Sequence, residues 1–152
     1  MNVSFFVTGD PKAQPRPRAF ARRVGNKVMV RAYDPGSAEG WKSQVALGAR
    51  HHRPPQPSRA TMSVMLTFFF RRPASHFKGK TRILRPDAPR QHCTKPDTDN
   101  LAKAVLDALT TVGMWQDDKQ VYSLHVMKLY SDGDVPGCFI QIWEDPCPPP
   151  LP

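Results

Sequence analysis

The sequence predicts a single α+β domain: a mixed sheet of about five strands carrying two main helices, in the order β-β-α-β-α-β-β. Three observations lead there. The chain has 152 residues, enough for one hydrophobic core and short for two. Apolar, β-branched and aromatic runs bounded by Gly and Pro recur along it, as strands do. Between them lie two stretches whose apolar residues fall at helical spacing.

The first run, VSFFVTG at 3–9, reads as a strand that stops at a glycine. The stretch DPKAQPRPRAFARR comes next, and Pro11, Pro15 and Pro17 argue against regular structure there. KVMVRAY at 27–33 is a short strand, paired with its predecessor or lying at an edge. Asp34 can cap a helix and Pro35 suits its first position, so a helix is expected over 35–50, with Trp41, Val45 and Gly48 or Ala49 on one face. ATMSVMLTFFF at 60–70 is apolar on both alternating faces, the signature of a central strand. A long basic loop covers 71–95, and loops of that length in compact domains are functional or disordered. After a second helix over 97–112 come strands at 120–130 and 137–144, with SDGDVPG between them as a hairpin turn. The domain is expected to span 1–145, and the proline-rich 146–152 to be a disordered tail.

Charge narrows the function. Lys and Arg number 22 against 13 Asp and Glu, a formal net charge of +9. That favours a polyanionic partner, nucleic acid ahead of an anionic membrane surface. No apolar run approaches the ~20 residues that span a bilayer. The start MNVSFFVTGD lacks the basic and long apolar regions of a signal peptide, so a cytoplasmic protein with no membrane contact is expected. Cys93, Cys138 and Cys147 show no C-x-x-C spacing, and the histidines have no partner at helical spacing. A disulfide framework, a structural zinc site and a zinc hydrolase are all poor fits.

The second helix carries the chemistry. Leu101, Ala104, Val105, Ala108, Leu109 and Val112 form one apolar stripe. Asp99, Lys103 and Asp107 succeed one another on the adjoining face, with Asp97 at or just before the cap. Alone, Asp97 reads as an N-cap, Lys103 as half of an i, i+4 ion pair, and Asp117–Asp118 as a polar turn. If the return toward the sheet brings Asp117 and Asp118 to Asp97 and Asp99, the acids converge. Crowded carboxylates cannot all ionise without a cation, and hard oxygen donors select Mg²⁺. An EF-hand is excluded because its fifth and sixth positions here would be Leu101 and Ala102.

These residues resemble a known family. KPDTDNLAKAVLDAL and then GMWQDDKQV are similar to the signature of the RusA Holliday-junction resolvases: Lys or Arg, then P-D-x-D-N-x-x-K-x-x-x-D-A-L, then D-D-x-Q and Val or Ile. FFVTGDPKAQPRPR, RRPASHFKGK and HVMKLY resemble the family's opening strand and basic loop, its central loop and its later strand, so the likeness runs from about residue 3 to 143. The resemblance implies a homodimeric, Mg²⁺-dependent endonuclease, with Mn²⁺ as a substitute, that cuts four-way DNA junctions by paired nicks. It matches Asp97, Asp99 and Asp118 to catalytic, metal-holding acids and Lys103 to a catalytic lysine, with Asp117 as an accessory acid.

The chemistry fits these residue types. Phosphodiester hydrolysis needs an activated water, neutralised phosphate and a stabilised leaving oxygen, and carboxylate-held divalent metal supplies all three. Lys and Arg on loops bind phosphate without reading sequence. Arg16 and Arg18 are the first candidates for DNA contact, with Lys12, Arg71, Arg72, Lys78 and Lys80 after them. His76 and Phe77 either press against the junction or pack beneath their loop, with packing favoured. Two alternatives remain: a non-catalytic basic DNA-binding module, and a metal-dependent nucleotide transferase, which lacks a glycine-rich phosphate cradle here.

Overall fold

The computed structural model describes residues 1–15, 18–24, 27–33, 38–133 and 135–145, with 18–24 and 27–33 described as backbone. The expected tail at 146–152, the cap at Asp34 and the basic residue Arg16 lie outside the described residues. The elements are β1 (Asn2–Thr8), β2 (Arg18–Val24), β3 (Lys27–Tyr33), α1 (Glu39–Ala49), β4 (Thr61–Phe70), α2 (Thr98–Val112), β5 (Val121–Tyr130) and β6 (Gly137–Asp145). The α+β class, the single domain and the two helices stand as the sequence predicts.

Four strands form one mixed sheet in the order β1-β6-β4-β5, while β2 and β3 pair as a separate antiparallel ribbon. This replaces the single sheet of five strands. β2 was hidden in the sequence by its prolines, but a proline restricts itself and the residue before it. RAFARRV starts directly after Pro17 and is free to extend.

β4 is the central strand, antiparallel to β6 and parallel to β5. The hairpin expected between β5 and β6 is therefore absent: β4 lies between them. Instead, just after β5, Ser131 N–H donates to the Phe70 carbonyl at the end of β4 at 2.9 Å, and just before β6 the Pro136 carbonyl accepts from Gly9 N–H at 3.1 Å. The physical reason is the apolar character of β4, whose Met62, Val64, Leu66 and Phe68 are all buried. Such a strand is stable only with a neighbour on each side.

Parallel pairing of β4 and β5 demands a crossover, and α2 is that crossover. Leu101, Ala104, Val105, Ala108 and Leu109 are buried, as the stripe predicts. They meet the sheet face made by Phe5 and Val7 of β1, the buried residues of β4, and Ile140 and Ile142 of β6. α1 packs beside α2 through Trp41, Val45 and Ala49. It begins at Glu39 with Ala38 in the cap position. α2 ends at Gly113, whose φ of 84° lets its N–H turn back onto the Leu109 and Thr110 carbonyls. Met114 and Trp115 then drop into the core, and the indole N–H donates to Thr110 Oγ1 at 2.7 Å.

Candidate metal and DNA site

The site is built where the long loop feeds into α2. Asp97 is the N-cap residue, with extended backbone (φ −70°, ψ 142°), and its carbonyl accepts from Leu101 N–H at 3.1 Å. Its side chain makes no capping hydrogen bond. The simple N-cap reading therefore does not use up this carboxylate, which stands exposed one residue from the exposed Asp99. The positive end of the helix dipole favours negative charge at both positions.

Two other segments converge here. Gln14 N–H donates to the Asn100 carbonyl at 2.9 Å, which docks the start of the proline-arginine stretch on the first turn of α2. The exposed Lys12 is thereby brought to the acidic end. From β5, the Lys128 ammonium donates to the Thr94 and Pro96 carbonyls, both at 2.7 Å, and pins the turn that presents Asp97. Sequence reasoning missed Lys128. Its signal was a lysine in register with the fully buried Phe68, on the face that otherwise packs against helices.

The loop between β4 and α2 is ordered by stacking and by one arginine. His92 lies against Phe70, with ring centroids 4.0 Å apart, and against Tyr130 at 4.9 Å. Burial, and then the Lys128 charge, push its pKa below the ordinary imidazole value. Arg72 was expected to contact DNA, but its side chain is only 6% exposed. It donates to the Pro89 carbonyl at 2.8 Å and the Ser131 carbonyl at 3.2 Å, reaches Asp132, and lies over the Tyr130 ring. Arg72 is a loop clamp. His76 packs edge-on against Tyr130, and Phe77 is half-buried, as expected.

The remaining basic candidates face solvent. Arg71 is exposed beside Asp10 at 3.3 Å. Lys78 and Lys80 are exposed on a turn closed by the Phe77–Leu84 bridge and by Lys78 N–H to the Ile83 carbonyl. Arg18 opens β2, where the backbone alone is described. Lys103 is exposed, with its ammonium 3.9 Å from Asp107, an ion pair of marginal strength.

Asp117 and Asp118 lie elsewhere. Asp117 caps a short 3₁₀ turn, accepting from Lys119 N–H at 3.0 Å. That hydrogen bond, with the Lys119 side chain, holds its carboxyl below the usual range. Gln120 closes the turn by accepting from Asp117 N–H at 3.0 Å and donating to the Ser58 and Ala60 carbonyls. The turn thus sits at the start of β4 and β5, with Asp118 exposed beside the last turn of α2. Asp97 and Asp99 sit at the other end of that helix, whose 15 residues span about 22 Å. The acids do not converge within one chain, and among the described residues no three His, Cys, Asp or Glu side chains could hold a metal together. The cause is the crossover: a helix joining two parallel strands runs the length of the sheet, so residues on its N-terminal side and residues on its C-terminal side lie at opposite ends.

Two comparisons with known proteins cover most of the chain. A protein of Bacillus subtilis (strain 168) described as uncharacterized protein YqaN is 36% identical over 137 residues, 86% of this chain and 89% of its own length. The family model described as endodeoxyribonuclease RusA matches residues 8–143. That span begins at the end of β1 and closes in β6, so it takes in the docked basic segment, the clamped loop, the acidic helix start and the Asp117–Asp118 turn. With so much of its length matched, the chain belongs to the RusA family of endodeoxyribonucleases.

Proposed function

We propose that the protein is a Mg²⁺-dependent resolvase of four-way DNA junctions that works as a homodimer and cuts by paired nicks. The observation that carries this is the pair Asp97–Asp99, exposed at the start of α2 in a RusA-family chain with Asp97 not engaged in capping. Their oxygens are the hard donors that Mg²⁺ takes, with Mn²⁺ an acceptable substitute. Two carboxylates from one chain make only part of such a site. The third, Asp118, reaches it from a second copy related by a two-fold axis, and the same operation completes the second site. Metal bound there would supply an activated water and offset phosphate charge.

The chain's own residues provide the rest. Lys12, Arg71, Lys78 and Lys80 offer exposed cations to the phosphate backbone, with Arg16 and Arg18 on the same stretch as Lys12. Lys103, exposed one turn after Asp99, would meet the scissile phosphate. Asp117 shapes the turn that carries Asp118.

The test is cleavage of a mobile four-way junction with and without Mg²⁺ by wild type, Asp97→Asn and Asp118→Asn. Paired, Mg²⁺-dependent nicks by wild type are expected, with cleavage lost and junction binding retained in both variants. Undiminished cleavage by either variant would overturn the catalytic assignment. Tight binding with no cleavage by wild type itself would make the chain a DNA-binding module.

A further inference from the structure

We infer that the second copy docks along the outer edge of β5, pairing antiparallel with itself over residues 121–127; this rests on the dimeric resolvase reading above and names its partner surface. β5 is an edge strand. The last part of its outer edge is already used: His92 N–H donates to the Lys128 carbonyl, and Tyr130 N–H to the Arg90 carbonyl. Among the described residues nothing pairs with the outer side of 121–127. That stretch, VYSLHVM, holds no charge and no proline, the devices that normally blunt an edge. It also exposes Tyr122 (65%), Leu124 (43%) and Met127 (36%).

The opposite edge, β1, is the rival. It exposes one large apolar side chain, Phe6. The charges at its ends are paired within the chain, the N-terminal ammonium with Glu144 at 2.6 Å and Asp10 with Arg71 at 3.3 Å. Each end of β5 carries charges of both signs: the exposed Asp118 and Lys119 precede it, and the exposed Arg90 and Lys95 lie by its far end with Asp97 and Asp99. Antiparallel self-pairing sets each start against the other copy's far end, twice, as an isologous interface requires, so each charge meets one of opposite sign.

Distance decides between the edges. α2 lies over β5, and Lys128 of β5 pins the turn before Asp97. With the two-fold axis beside Leu124, Val121 pairs with Met127 of the partner subunit, and Asp118 of the partner subunit arrives next to the 90–97 segment. Pairing along β1 would leave three further strand spacings in each subunit between them, about 29 Å in all, which no aspartate side chain can span.

The experiment uses the full chain with Cys93→Ser and Cys147→Ser, without DNA or metal. Leu124→Cys faces its own copy across the axis, where opposed Cβ atoms approach to disulfide range. Ser4→Cys on β1 is the matched control. The expected result is a dimer by sedimentation velocity at tens of micromolar, with Leu124→Cys cross-linking on mild oxidation at least tenfold more than Ser4→Cys. Should Leu124→Cys not fold, a mixture of Ser123→Cys and His125→Cys, both exposed, gives the same reading. A monomer, or a dimer in which the β5 cysteines do not link in preference to Ser4→Cys, overturns the inference. A chain that links through β5 yet cuts no junction sinks the proposed function alone.

Discussion

Exposure separates the basic residues into two kinds, and stability and binding should divide along the same line. The Arg72 guanidinium is buried and satisfies two carbonyls that would otherwise lose their partner. Arg72→Ala should cost about 2–3 kcal/mol in a denaturant titration. Lys78→Ala with Lys80→Ala should leave stability within about 0.5 kcal/mol. The lysine pair should instead lower the dependence of junction affinity on log salt by about two. An unstable lysine variant, or an Arg72→Ala as stable as wild type, would reverse the two roles. His92 offers a pH test with a definite sign. Its folded pKa is lowered by burial and by Lys128. Above the ordinary imidazole value both states are neutral and pH has no effect through this residue. As pH falls below about 6.5, the unfolded chain takes up a proton that the folded chain resists, so stability declines until the lowered folded value is passed. His92→Phe keeps a ring between Phe70 and Tyr130. It should flatten the melting-temperature profile between pH 7 and 5, and an unchanged slope would show that another group titrates there.

At the scale of elements, α2 owes its length to a punctual stop. Gly113 holds φ 84°, and an added Cβ would meet Pro57 at 3.5 Å, an ordinary contact. The penalty of Gly113→Ala is therefore conformational, about 1–2 kcal/mol. Equilibrium urea unfolding should read it as a lower midpoint at unchanged slope, and a neutral result would mean the turn relaxes out of the left-handed region. The same helix shows how far the sequence could be read. Its stripe, its limits, the centrality of β4 and the acid pair at its start were legible because each depends on spacing within one segment. Strand order was not. Whether β5 pairs with β4 or with β6 depends on which neighbour best covers β4, a competition between segments far apart in sequence. That one choice turned an expected hairpin into a crossing loop and carried Asp118 to the far end of α2. Lys128 was hidden for a related reason, since its task is to hold two carbonyls of a loop more than thirty residues upstream.

At the scale of the whole molecule, the separation of the acids makes the proposed resolvase testable by mixing two inactive variants. Suppose each site takes Asp97 and Asp99 from one copy and Asp118 from the other. In a mixed dimer of Asp97→Asn and Asp118→Asn subunits, one site then receives both substitutions and the other receives neither. Random exchange makes half of the dimers mixed, and half of the sites in those are intact, so about a quarter of the wild-type sites return. Each mixed dimer would nick one strand of a junction without making the matched second cut. A denaturing gel should show nicked strands at roughly a quarter of the wild-type rate, with few resolved duplexes on a native gel. If all three acids instead served one site from a single chain, every site in the mixture would carry one substitution, and mixing would restore nothing. Recovered nicking is therefore tied to the opposite-end placement of the acids rather than to dimerisation as such. A mixture as inactive as its components, in a chain whose wild type cuts junctions, would require the 22 Å (about one α2 length) between Asp97 and Asp118 to close within one subunit.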